Sequence, residues 1–158
     1  MRRYRHLAQV WLCLGLLALV GCAAERAETS WQASIPALQP DMARVWVLRM
    51  PSQAGIITGA DPMVFANGAA VAKSTLNTVY YHDFQPGTYR FTVQAYGTPA
   101  NLVDTVALSP GTETYLQVQA VPNWEMGSTA GGASFAVLTM SSADALPYLP
   151  TMKYLGEL

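Results

Sequence analysis

The chain has 158 residues, of which 51% are hydrophobic and 12% charged, with nine basic against ten acidic side chains. So few charges, with no basic excess, leave no electrostatic footprint for nucleic acid and no polybasic patch for an anionic lipid surface. Outside an N-terminal signal that takes Cys13 and His6 with it, one cysteine and one histidine remain, too few for a Cys/His zinc site, and no haem-attachment or iron–sulfur spacing is present, so no metal or other cofactor is expected.

The first 22 residues carry the most specific signal. Arg2, Arg3 and Arg5 form a positive start, Val10 to Val20 is a leucine-rich apolar run, and Leu19-Val20-Gly21-Cys22 closes it. A membrane-spanning helix needs about 20 apolar residues, and the run from Leu7 to Ala24 meets that only marginally because it contains Gln9. An ordinary secretory signal would end in an A-x-A-like site instead. The small residue followed by cysteine, with a polar stretch after it, resembles the lipobox of bacterial lipoproteins. That resemblance implies cleavage before Cys22, a diacylglyceryl group on its thiol and an acyl group on its new amine. Several acyl chains anchor firmly where one is marginal, at about 0.8 kcal/mol per buried CH₂. Ala23, standing where an aspartate would favour the inner membrane in Gram-negative lipoproteins, points to the outer membrane, with the domain in the periplasm and surface exposure left open.

Loss of residues 1–21 removes three arginines, Cys13 and His6. The remaining 137 residues carry six basic and ten acidic side chains, a net charge of −4, with Cys22 as the sole cysteine and His82 as the sole histidine. That length suits one domain with a real core, and no intrachain disulfide can support it. Residues 22–42 read as the lipidated cysteine and a tether with Pro36 and Pro40. Trp31 and Ile35 are candidates to dock, although a mobile tether is the simpler expectation.

Residues 43–158 read as a β-sandwich domain with a short tail. Val45 to Leu48, bracketed by Arg44 and Arg49, fits a strand buried on both faces. Ile56 to Ala60 is a further short candidate. Asn67-Gly68, between Met63–Ala66 and Ala69–Ala72, is a hairpin signal, because a type I′ turn needs positive φ twice. Thr78 to His82 is rich in strand formers. Pro86-Gly87 and Pro110-Gly111 predict type II turns. After the first, Tyr89, Phe91, Val93 and Ala95 alternate with Arg90, Thr92 and Gln94. After the second, Leu116, Val118 and Ala120 alternate with Tyr115, Gln117 and Gln119, giving each strand one dry and one wet face. Leu102 to Leu108 and Ala133 to Met140 supply two more strands. Pro122 to Gly132 is a glycine-rich loop holding Trp124. Ser142 is placed to cap one helical turn that Pro147 and Pro150 stop. Tyr148, Leu149, Met152, Tyr154 and Leu155 are expected to pack across a sheet edge. The fold class is all-β, an antiparallel sandwich of about seven or eight short strands.

Ala43 to Arg49, Asn67-Gly68, Phe84 to Val93 and Val106 to Val118 resemble, in that order, a family of uncharacterised bacterial lipoproteins with a small PEGA-like or immunoglobulin-like sandwich. The resemblance covers residues 43–146. It implies a fold and an address, and it carries no catalytic residues.

Among candidate sites, His82-Asp83 is the one place where a general base could adjoin a carboxylate, but no nucleophile elbow accompanies it and turn-side polar residues are the plainer reading. Asp61, Asp83, Asp104 and Asp144 read as scattered turn carboxylates without calcium-loop spacing. Consecutive Tyr80 and Tyr81 point to opposite faces, so one of them is expected outside. Together with Trp124 they are the candidate partner-binding residues. The expected function is a non-catalytic binding or structural module of the envelope, held to the membrane through Cys22, with an envelope protein or cell-wall partner. A carrier of a small apolar ligand is the alternative, and a hydrolase using His82 comes last.

Overall fold

A computed structural model describes residues 31–51, 60–94, 103–122 and 133–157. They form nine strands: β1 (Ala43–Arg49), β2 (Met63–Ala66), β3 (Ala69–Lys73), β4 (Thr78–Phe84), β5 (Gly87–Val93), β6 (Asp104–Leu108), β7 (Glu113–Pro122), β8 (Ala133–Met140) and β9 (Lys153–Glu157). One sheet has the order β8-β7-β1-β4-β9 and the other β3-β2-β5-β6. The all-β sandwich is therefore present, with two departures. The C-terminal tail does not merely cover an edge but adds β9 beside β4, and the β1–β7 and β4–β9 pairs are parallel.

Between the sheets lies the main core, with Val45, Val47, Val64, Tyr80, Phe91, Leu116, Val118, Phe135 and Val137 all buried. The period-2 pattern of β5 holds: Tyr89, Phe91 and Val93 face this core. A second core covers the outer face of the five-stranded sheet. Trp46, Leu48, Val79, Tyr81 and Tyr115 pack there under Ala145, Leu149 and Met152, with Trp31, Ile35, Met50, Met140, Tyr148 and Tyr154 at its margin. All seven residues of β1 are consequently buried. Tyr115, expected on a wet face, is buried for the same reason.

The turns follow their chemistry unevenly. Asn67 (φ 50°) and Gly68 (φ 84°) close the β2–β3 hairpin with positive φ at both positions. Asn67 also ties the hairpin to β5, since its side-chain oxygen accepts from the Arg90 amide at 2.8 Å. At Pro110-Gly111 the Thr112 amide donates to the Ser109 carbonyl at 3.3 Å and Gly111 has φ 68°, as a type II turn requires. At Pro86-Gly87 the expectation fails: Gly87 has φ 159°, close to extended, and already belongs to β5. The chain passes there from one sheet to the other, so no hairpin geometry is imposed on the corner.

The helical turn α1 (Ser142–Ala145) is capped by Ser141, one residue before the expected Ser142, and the Ser141 hydroxyl accepts from the Asp144 amide at 3.2 Å. Residues 31–36, expected as mobile tether, include a short 3₁₀ turn (Gln32–Ser34) lying against the second core, with Trp31 stacked on Tyr154 at 4.9 Å between ring centres. The two residues named as candidates to dock, Trp31 and Ile35, are the ones that pack there, so the mobile-tether expectation fails for this part of the segment.

Candidate functional site

The outer face of the five-stranded sheet is organised in rows set by strand register. Arg44 on β1 sits opposite Glu113 on β7 and Asp83 on β4. One step along, Trp46 sits between Tyr115 and Tyr81. A carboxylate–guanidinium–carboxylate row thus lies beside a row of three aromatic rings, because every second side chain of a strand projects to the same face.

Arg44 is 3% exposed, and burial of a charge demands partners. Its Nε and Nη2 donate to the two Asp83 oxygens, each at 2.8 Å, and its Nη1 donates to the Pro36 carbonyl at 2.9 Å. The guanidinium also lies 4.0 Å from the centre of the Tyr81 ring. The hydrogen bonds it donates to Asp83 hold the Arg44 proton more tightly than usual, and they outweigh burial, which acts the other way.

Glu113 is the other pole. Its Oε2 accepts from the Trp46 indole at 3.1 Å and from the Tyr115 hydroxyl at 2.9 Å, while the residue as a whole is exposed. Burial, reinforced by the bond to Glu113, pushes the Tyr115 phenol well above its ordinary value.

These groups form the floor of an open cleft of about 340 Å³, at the small end of the range for small-molecule sites. Its walls are the docked N-terminal segment, through Trp31, Ile35 and Leu38, and the C-terminal segment, through Leu146 and Leu149. The Trp31 indole nitrogen is buried and has no acceptor among the described residues. Leu146, at 41% exposure, stands at the rim.

The structure redistributes the residues singled out from sequence. Tyr80 and Tyr81 do face opposite sides, but neither is outside: each is 1% exposed, Tyr80 in the main core and Tyr81 in the second. Neither can meet a partner, because both faces of β4 are covered there. Cys22, Trp124 and the Pro122–Gly132 loop beyond its first residue lie outside the described residues. His82 and Asp83 project to opposite faces of β4. The His82 ring lies 4.6 Å from Phe84, while Asp83 is held by Arg44. The adjacency in sequence therefore brings no base and carboxylate together.

The four aspartates are not merely solvated. Asp83 pairs with Arg44, Asp61 lies 3.6 Å from Arg49, Asp104 accepts from the Thr139 amide at 2.6 Å, and Asp144 accepts from the Ser141 hydroxyl. Among the described residues no group of three His, Cys, Asp or Glu could hold a metal ion, and no helix is long and apolar enough to cross a membrane. Sequence reasoning missed Arg44 and Glu113. Their signal was available only through register, which places them in one row.

Comparison with protein-family models gives no match, and comparison with curated proteins gives none either.

Proposed function

We propose that this protein is an envelope lipoprotein, anchored through acyl chains on Cys22 in the outer membrane, whose periplasmic sandwich acts as a non-catalytic binding or structural module. The observation that carries the reading is Leu19-Val20-Gly21-Cys22 at the end of an arginine-led apolar run. The docking of Trp31 adds to it. A free tether from Cys22 to Trp31 spans at most about 30 Å even when fully extended, so the domain works close to the bilayer surface. The separation of His82 from Asp83 favours binding over hydrolysis, and the cleft beside Glu113 offers a place for a ligand.

Metabolic labelling of cells with an alkyne fatty acid, comparing the native chain with Cys22→Ala, tests the anchor. Label on the native chain and none on the variant is the expected result. Equal label on both, or none on either, overturns the anchor. Crosslinking of the anchored protein in the same cells is expected to trap a discrete envelope partner.

A further inference from the structure

We infer that the cleft between the N-terminal segment and Leu146 is a binding site for an aliphatic ammonium group, of the kind a lysine side chain presents on a peptide; the inference rests on the binding-module reading above. The first ground is charge. Among the described residues, Arg44 and Glu113 are the only charged ones lining the cleft. The Arg44 guanidinium is already matched by both oxygens of Asp83 and by the Pro36 carbonyl, so it has little left to offer an anion. Glu113 faces Arg44 across the strands and feels its charge, but with Asp83 already bound to Arg44 the row of two carboxylates and one guanidinium keeps one net negative charge, and Glu113 is its exposed member.

The second ground is geometry. Glu113 is not a freely swinging surface carboxylate. Two buried side chains, Trp46 and Tyr115, both donate to Oε2 and fix its position, and no protein donor to Oε1 is found among the described residues. A pinned carboxylate receives a cation at a smaller entropic cost than a mobile one. The third ground is the remaining lining. Trp31, Ile35, Leu38, Leu146 and Leu149 give an apolar approach suited to a methylene stem, which buries carbon while its charged head reaches a polar partner.

The test is ligand titration of the full-length chain in detergent, followed by NMR, with Nα-acetyl-lysine methylamide as the probe. Nα-acetyl-norleucine methylamide, which has the same stem without the ammonium, is the control. The lysine probe is expected to bind saturably, and the norleucine probe about tenfold or more weakly, the size of one charge-assisted hydrogen bond. Glu113→Gln retains an oxygen for Trp46 and Tyr115, and is expected to reduce lysine binding by a similar factor while leaving the norleucine probe unchanged. Leu146→Lys, at a rim position 41% exposed, places a competing ammonium at the mouth and is expected to weaken the lysine probe as well. Equal binding of the two probes, no binding of either, or lysine binding indifferent to both substitutions overturns the inference. Cys22 labelling that persists while no probe binds discards this ligand class and leaves the anchored module standing. Probe binding without Cys22 labelling does the reverse.

Discussion

Arg44 and Asp83 face each other across β1 and β4, and their two hydrogen bonds of 2.8 Å hold the guanidinium 4.0 Å from the centre of the Tyr81 ring. The third bond of Arg44, to the Pro36 carbonyl, reaches out of the sheet to the N-terminal segment. One side chain therefore joins the central strand, its neighbour and the wall of the cleft. Without the pair, a charged residue 3% exposed would stand unmatched in the second core.

Asp83→Ala is accordingly expected to lower stability by about 3 kcal/mol, the low end for breaking a buried pair, since Asp83 keeps some solvent contact. Replacing both members, Arg44→Met with Asp83→Leu, is expected to cost less than Asp83→Ala alone, because no uncompensated charge remains. Urea unfolding of the native chain and these two variants checks the claim. A double variant weaker than the single one would show that the pair does more than neutralise itself.

Tyr80 and Tyr115 offer a contrast in one chemical change. The Tyr80 hydroxyl is buried without a partner among the described residues, whereas the Tyr115 hydroxyl donates to Glu113. Deleting an unsatisfied buried hydroxyl relieves its desolvation cost, while deleting a bonded one loses the bond. Tyr80→Phe is expected to raise stability by about 1 kcal/mol, and Tyr115→Phe to lower it by about 1.5 kcal/mol. Melting temperatures that move in the same direction for both variants would contradict this assignment.

Much of the fold was legible because it rests on local pattern. The alternation in β5, the Asn67-Gly68 hairpin and the limits of β8 follow from side-chain period and turn chemistry, which neighbouring residues fix among themselves. The site was not legible, because it is made by register. Arg44, Asp83 and Glu113 lie 39 or more positions from one another in all but one spacing that matters, and only strand pairing sets them in a row. The same limit explains Tyr80 and Tyr81. Alternation separates them correctly, but the second core that covers Tyr81 comes from chain segments at both ends of the domain. Their apolar residues announce packing somewhere on the sheet, but local pattern does not say which face they cover.

Alkaline pH gives a separate test of burial. Tyr80 and Tyr115 both have phenols raised above the ordinary value of 10.0, Tyr80 by burial and Tyr115 by burial with help from Glu113. Below pH 10 both phenols are protonated in the folded and unfolded chain alike, so their protonation does not favour unfolding. Above it the unfolded chain releases protons that the folded chain retains, and stability falls by about 1.4 kcal/mol per pH unit for each group. Tyr80 and Tyr115 are therefore expected to ionise only as the protein unfolds. Phenolate absorbance, followed together with circular dichroism, is expected to show a late step coincident with loss of structure. Smooth titration of all tyrosines in a folded chain would place these hydroxyls in solvent.

Trp31 links the proposed anchor to the cleft. Its ring stacks on Tyr154 of β9 at 4.9 Å and lies 6.4 Å from Trp46, while the segment that follows it forms one wall of the cleft. Aromatic pairs of this kind add about 0.5–1.5 kcal/mol beyond simple burial. Trp31→Ala removes the stack and leaves the Arg44–Pro36 bond as the main hold on the wall. The expected outcome is a loss of about 2 kcal/mol in global stability at most, with a much larger rise in cleavage between residues 31 and 42 under limited proteolysis. A wall that loosens while the sandwich persists is also expected to weaken the lysine probe, because the stem loses its apolar approach. Proteolysis unchanged from the native chain would mean that the Arg44–Pro36 bond and the packing of Ile35 hold the segment without Trp31.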